Sequence, residues 1–366
     1  MIALFVISFL VSAISMVWIV RRGRRHARAY SADMPQRFHR GHIPRLGGAG
    51  MLLAVAVGWL LIVWQGQWFN VTTGAEKVQW LLLCIVPAIV CGIGEDMTQR
   101  VPVRLRLLLT MASAALLCYV ADVGVSRLAI PYADTALQAF PWIGFVLAVF
   151  AIGGLPHAFN IIDGYNGLAG MVAMLIGAAL LHVALQLGDR TLAGMIASLM
   201  GATAGFLLLN YPRGKIFAGD GGAYLWGTVI AFACVLLVNR HPSVSPWFPM
   251  LLLSYPVFET LFSIYRKLAR GQSPGMADAL HLHQLIYRRI VRVVFDDEED
   301  DAQEMLHRNN RTSPYLWAVA GLTVVPAVLF WNKTWVLVVS CVLFAVLYVG
   351  AYLAIVRFKL PSWIGK

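Results

Sequence analysis

Eleven apolar stretches, most of them near the roughly 20 residues that a membrane-crossing helix needs, run through the 366-residue chain. They cover residues 1–20, 46–64, 79–94, 104–121, 141–158, 167–188, 191–210, 221–239, 246–264, 315–331 and 335–356. In hydrocarbon every backbone N–H and C=O must bond within its own helix or within a closed barrel, so this pattern leaves few folds open. Composition agrees: 59% of the residues are hydrophobic and 13% charged, against roughly 25% charged in ordinary globular proteins. A soluble fold, a disordered chain and a collagen-like or low-complexity one are excluded. The expected fold is all-α, a polytopic integral membrane protein of about 11 transmembrane helices forming one domain over residues 1–366.

The net charge of +11 would point a soluble protein towards nucleic acid. In a membrane protein it reports orientation, because Lys and Arg collect in cytoplasmic loops. The first stretch has no basic residue before it and Arg21, Arg22, Arg24 and Arg25 after it, the reverse of a cleaved signal peptide. It reads as a retained span with its N-terminus outside. Parity then makes 21–45, 94–106, 155–166, 211–220, 265–314 and the C-terminus cytoplasmic. These segments hold 24 of the 29 Lys and Arg residues, leaving Lys77, Arg127, Arg190, Arg240 and Lys333 outside. Topology accounts for most of the excess charge, and no nucleic-acid partner is expected.

Acidic residues are rare in spans, so their positions are informative. Fourteen of the 18 fall on the expected cytoplasmic side or at its edge, the side on which four polar segments converge. In GEDMTQRVPVRLRL, Glu95 and Asp96 are adjacent, with Arg100, Arg104 and Arg106 behind them. Neighbouring carboxylates repel unless a cation or a shared proton relieves them; a loop cap is the plainer reading. In HAFNIIDGYNGLAG, Asn160 and Asp163 lie one helical turn apart, while an Asn-Gly turn is the plainer reading. In YPRGKIFAGDGGAYLWG, Asp220 between glycines suits Mg²⁺, which takes few protein ligands, or a helix N-cap.

The fourth segment places Asp278 ahead of HLHQLIYRRIVR. His281 and His283 are two apart and need an extended or turning backbone to act on one ligand. Arg288, Arg289 and Arg292 suit phosphate; a surface loop with incidental histidines is the alternative. The acidic run from Asp296 to Glu304 reads as a solvated linker. The five cysteines form no CxxC pair and read as packing residues. No GxxxxGK[ST], HExxH or GxSxG motif is present. Acids suited to Mg²⁺ and bases suited to phosphate thus face one side beside hydrocarbon, an arrangement able to join a soluble phosphorylated compound to a lipid phosphate.

In this order the four segments resemble the polyprenyl-phosphate N-acetylhexosamine-1-phosphate transferases, from about Pro44 to Arg289. IPRLGG from Ile43, Asp96, Asn160, Asp163, Gly164, Asp220, His281 and His283 carry the resemblance. Glu95, His157, Asn166, Ala223 and Gln284 depart from the usual Asp, Asn, Asp, Ser and His. The resemblance implies that an N-acetylhexosamine 1-phosphate passes from a UDP-sugar to undecaprenyl phosphate, with release of UMP. Such an enzyme lies in a bacterial inner membrane with its active site on the cytoplasmic face, and initiates O-antigen-like polysaccharide synthesis. By carry-over, Asp220 and Asn160 would hold Mg²⁺, with Mn²⁺ as a substitute. Glu95, Asp96 and Asp163 would be catalytic, and Asn166, His281, His283 and Arg288 would bind substrate. Assembly as a homodimer is compatible with this picture. Phospho-MurNAc-pentapeptide transfer and a polytopic transporter are the alternative readings.

Overall fold

The computed structural model describes residues 1–23, 43–71, 74–272, 280–291 and 302–357. Most of the expected loop 21–45, together with Asp278, Arg292, the acidic residues Asp296–Asp301 and the C-terminal segment 358–366, lies outside the described residues.

Ten of the eleven expected stretches are single helices long and apolar enough to cross a bilayer. In chain order the helices are α1 (Ile2–Arg22), α2 (Gly47–Gln65), α3 (Ala75–Thr98), α4 (Val103–Ala121), the short α5 (Pro131–Ala139), α6 (Pro141–Ile162), α7 (Leu168–Gln186), α8 (Arg190–Asn210) and α9 (Gly219–Arg240). There follow α10 (Trp247–Leu252), α11 (Ser254–Ala269), the single turn α12 (Leu282–Leu285), α13 (Ala302–Leu329) and α14 (Thr334–Val356).

The ninth stretch departs from expectation. Instead of one span over 246–264 it forms α10 and α11, with a bend at Leu253 (φ −96°, ψ 4°). Pro256 causes the break, since it brings no amide hydrogen and its ring conflicts with the carbonyl four residues earlier. Several expected loops are also shorter than drawn. α3 runs on to Thr98 and α6 to Ile162, so Glu95, Asp96 and Asn160 stand on rigid helix ends.

α9 is the centre of the bundle. Nearly every residue from Gly221 to Leu237 is buried, as expected of a helix apolar on all faces, and α6, α3 and α2 surround it. Lipid offers no hydrophobic drive between helices, so close approach through small residues holds them. Gly48 of α2 meets Gly221 and Gly222, and Gly227 of α9 meets Pro156 of α6. A Cβ on Gly92 of α3 would stand 2.7 Å from the Asp220 carbonyl carbon. Where Pro87 interrupts the ladder of α3, Ala88 N–H donates to Ser113 Oγ of α4 at 2.9 Å, so the backbone stays satisfied at membrane depth.

Candidate active site

The site starts at the first turn of α9. Asp96, on the last turns of α3, accepts the backbone N–H of Asp220 at Oδ1 and that of Gly221 at Oδ2, each at 2.9 Å. A carboxylate from a neighbouring helix thereby satisfies two orphan amides and complements the positive end of α9. The approach requires Gly219, whose φ is +69° and whose missing Cβ would collide with the Asp96 carboxylate. Backbone pairing of Pro44–Gly48 with Phe217–Ala218 lays the IPRLGG segment alongside: Phe217 N–H donates to Pro44 O (2.9 Å), Gly47 N–H to Phe217 O (3.0 Å) and Gly48 N–H to Ala218 O (2.9 Å). This pairing sets Arg45 at the cavity.

Asp220 is gripped from two sides. Arg106 Nη1 donates to Oδ2 and Asn160 Nδ2 to Oδ1, both at 2.6 Å. Tyr224 O–H, one turn along α9, points at Oδ2 at 3.4 Å. Behind it, the His157 ring meets Tyr224 edge-on at 5.2 Å, and its Nε2 lies 3.1 Å from Thr110 Oγ1. Asp163 follows the end of α6 and is half-buried. Burial pushes its carboxyl up to about 7, with the Arg45 guanidinium opposing the shift and the Asp220 charge adding to it.

The histidine segment closes the cavity. His281 is extended (φ −64°, ψ 149°) and caps α12, of which His283 is the second residue. The bend sets the two rings parallel within 5°, their centroids 5.2 Å apart. Gly164 allows the approach of His283, whose Nε2 would stand 3.1 Å from a Cβ there.

A polar cavity of about 260 Å³ joins these parts. Of the residues singled out in the sequence, Asp96, Asn160, Asp163, Asp220, His281 and His283 line it, together with Arg45, Tyr165 and Gln284. Glu95, Asn166 and Arg288 do not. Glu95 Oε2 accepts Val101 N–H at 2.8 Å and shapes the turn between α3 and α4. Asn166 is buried and tied to α13, its N–H donating to Asn309 Oδ1 (2.8 Å), its Nδ2 to Asn310 Oδ1 (3.0 Å) and its carbonyl accepting from Ser313 Oγ (2.6 Å). Arg288 is exposed. In the sequence, Arg45 and Arg106 read as orientation charges. Nothing local to either signals a partner more than a hundred positions away.

A second cavity, about 420 Å³ and largely apolar, lies between α6, α9, α10 and α11. Leu155 and Ala158 wall it, and Asn160 and Ile161 on the next turn of α6 line the polar cavity. Val257 and Leu253 form its opposite side at the α10–α11 bend.

The donor set of the polar cavity bears on metal binding. Carboxylate and amide oxygens are hard ligands suited to Mg²⁺. Among the described residues no three acidic, imidazole or thiol groups converge as a metal cage. Both Asp96 oxygens are held by backbone amides fixed in α9, whereas those of Asp220 are held by the side chains of Arg106 and Asn160, which can turn away. The residues therefore fit a cation that uses Asp220 and draws its remaining ligands from substrate phosphates and water.

Residues 78–238 match the sequence profile of glycosyl transferase family 4. That range contains Asp96, Asn160, Asp163 and Asp220 and stops short of the histidines. The chain is 26% identical over 302 residues to a probable undecaprenyl-phosphate N-acetylglucosaminyl 1-phosphate transferase of Bacillus subtilis, covering 79% of this chain and 81% of that protein. It is 26% identical over 269 residues to the undecaprenyl-phosphate alpha-N-acetylglucosaminyl 1-phosphate transferase of Yersinia pestis, covering 68% and 67%. The Escherichia coli K12 protein of the same name is 24% identical over 255 residues, covering 68% and 66%.

Proposed function

We infer that the chain belongs to glycosyl transferase family 4, whose profile residues 78–238 match, and that it transfers a sugar 1-phosphate to undecaprenyl phosphate. The donor in this reading is a UDP-N-acetylhexosamine, with UDP-GlcNAc the first choice from the names of the relatives. The products are undecaprenyl-diphosphate-sugar and UMP, and the transfer initiates a cell-envelope polysaccharide of the O-antigen type. The distribution of Lys and Arg supports a cytoplasmic active site in a bacterial inner membrane.

One observation carries the reading. A polar cavity with arginine, histidine and carboxylates lies one helical turn from an apolar groove on the same helix, α6. A phosphate and a long hydrocarbon tail on one molecule need that adjacency.

In the transfer, an oxygen of the lipid phosphate attacks the sugar-proximal phosphorus. A P–O bond forms there as the bond to the bridging oxygen breaks, and UMP carries the electron pair away. One diphosphate linkage replaces another, so no ATP is needed. The lipid phosphate has its second pKa near 6 and is largely ionised at neutral pH, so no strong base is required. Catalysis then rests on alignment and charge neutralisation. Arg45 and the two histidines line the polar cavity and in this reading hold phosphate oxygens. Asp220, with Asn160 as second ligand once its amide oxygen is turned inward, would hold Mg²⁺, which supplies positive charge to the diphosphate. Both oxygens of Asp220 already accept hydrogen bonds, which favours direct attack over a phospho-Asp220 intermediate.

The test is UMP release by the purified protein in undecaprenyl phosphate vesicles, against UDP-GlcNAc, UDP-GalNAc and UDP-MurNAc-pentapeptide, with and without EDTA. UMP release matched by sugar-labelled lipid supports the reading. Failure with every donor overturns it.

A further inference from the structure

Glu259 of α11 is fully buried and outside the motifs that carry the resemblance. A carboxylate without water is costly unless its lone pairs are satisfied. Here three donors meet it: Leu282 N–H at 2.8 Å and His281 Nδ1 at 3.1 Å on Oε1, and Tyr348 O–H of α14 at 2.8 Å on Oε2. Leu282 N–H and His281 Nδ1 tie the histidine segment to α11, and the second of these bonds fixes the His281 ring, which lines the polar cavity. Tyr348 holds the other oxygen of the carboxylate from α14.

We propose that Glu259 is a positioning residue that sets the tautomer and orientation of His281 for the diphosphate. The proposal rests on the transferase reading above. A histidine nitrogen held by a carboxylate must carry its proton, so the ring meets its ligand through the other nitrogen, here Nε2. The same carboxylate is the counter-ion of the doubly protonated ring, the form that donates Nε2–H to a phosphate oxygen. Because the His281 and His283 rings are parallel and stacked, fixing one restrains the other. α11 thus contributes to both sides of the reaction: Val257 and Thr260 wall the apolar groove, and Glu259 between them aims the histidine.

A merely structural Glu259 would hold the loop and nothing more. The two roles separate in the full-length protein by comparing wild type, E259Q, Y348F, H281Q and the E259Q/H281Q double variant. UMP release from UDP-GlcNAc and ¹⁵N-histidine NMR are the readouts, with His281 assigned by its absence in H281Q. The wild-type His281 signal is expected to show protonated Nδ1, and E259Q to change it. E259Q should lower kcat about 10–100-fold, the usual cost of removing such an orienting partner, with little change in KM. Y348F, which removes a contact of Glu259 without touching His281, should keep most of the activity. In the H281Q background E259Q should cost no more than about a further twofold, because the pair acts as one unit.

Equal losses from E259Q with and without His281, or an E259Q spectrum identical to wild type, would overturn the proposal. Should E259Q not fold, the wild-type spectrum decides: a His281 ring with bare Nδ1 overturns it. Absence of UMP release from the wild type would instead count against the transferase reading, while the ¹⁵N comparison would still report on Glu259.

Discussion

Arg106 and Asp220, 114 positions apart, share a charge-assisted hydrogen bond of 2.6 Å, each side chain about one-fifth exposed. The pair shields Asp220 from the charge of Asp96, whose oxygens bind the backbone of the same turn. Arg106 therefore occupies the oxygen that a cation would use. Arg106→Gln is expected to lower the Mg²⁺ concentration for half-maximal UMP release by about tenfold, the order set by a charged hydrogen bond of ~1.5 kcal/mol. Asp220→Asn should abolish metal-dependent turnover with the protein still folded. A Mg²⁺ titration of both variants, with melting curves, checks this; retained turnover in Asp220→Asn removes the metal assignment.

Gly92→Ala tests the site through packing alone. The new methyl would press on the backbone of Asp220 and Gly221 at 2.7 Å. The α3–α9 crossing must open, at a cost of about 1–3 kcal/mol for an overpacked contact. Activity should fall together with thermal stability, although no polar group has changed. Unaltered activity would show that the placement of Asp220 tolerates movement of α9.

Asp163 gives a pH dependence with a definite sign. Its carboxyl is pushed from an ordinary 3.8 up to about 7, chiefly by burial. The native state holds the proton more tightly than the unfolded state. The stabilisation is therefore complete below about 3.8 and is lost as pH rises through 7. Asp163→Asn cannot ionise. In EDTA, its melting temperature should exceed wild type by a margin that opens between pH 4 and pH 7 and levels off above it. A margin independent of pH would contradict the shift.

Asn166 was expected to bind substrate, yet its side chain faces Asn310 of α13. Asn166→Ala should cost about 0.5–1.5 kcal/mol, the net value of a hydrogen bond, and leave KM for the UDP-sugar unchanged. A raised KM with unchanged stability would return Asn166 to substrate binding.

The spans were legible because hydropathy is additive along the chain: ten apolar stretches became ten helices. Hydropathy did not report the break of the ninth at Leu253, since an average over 246–264 hides the position of Pro256. The acidic half of the site was legible for a related reason. Asp96, Asp163 and Asp220 stand at the ends of apolar runs, where any carboxylate is conspicuous. Its arginines were not, because Arg45 and Arg106 sit among others that orientation already explains. The last helix was opaque as well. Its residues read only as hydrophobic, yet Tyr348 O–H donates to Glu259, Tyr352 O–H to Leu280 O at 3.2 Å, and Ile355 and Val356 carbonyls accept from Arg289 Nη1 at 2.7 Å. Such ties depend on which helices become neighbours, and hydropathy does not encode that.

The groove beside α6 and the α10–α11 bend has a kinetic consequence. In the transferase reading, a hydrocarbon tail seated there would remain at bilayer depth from arrival to departure, so the acceptor would reach the polar cavity by lateral diffusion and the donor would arrive from water. The two encounters have different dimensions. Saturation by the acceptor is then governed by its mole fraction in the membrane, and diluting it with inert lipid at constant bulk concentration slows the reaction, whereas the donor follows its aqueous concentration.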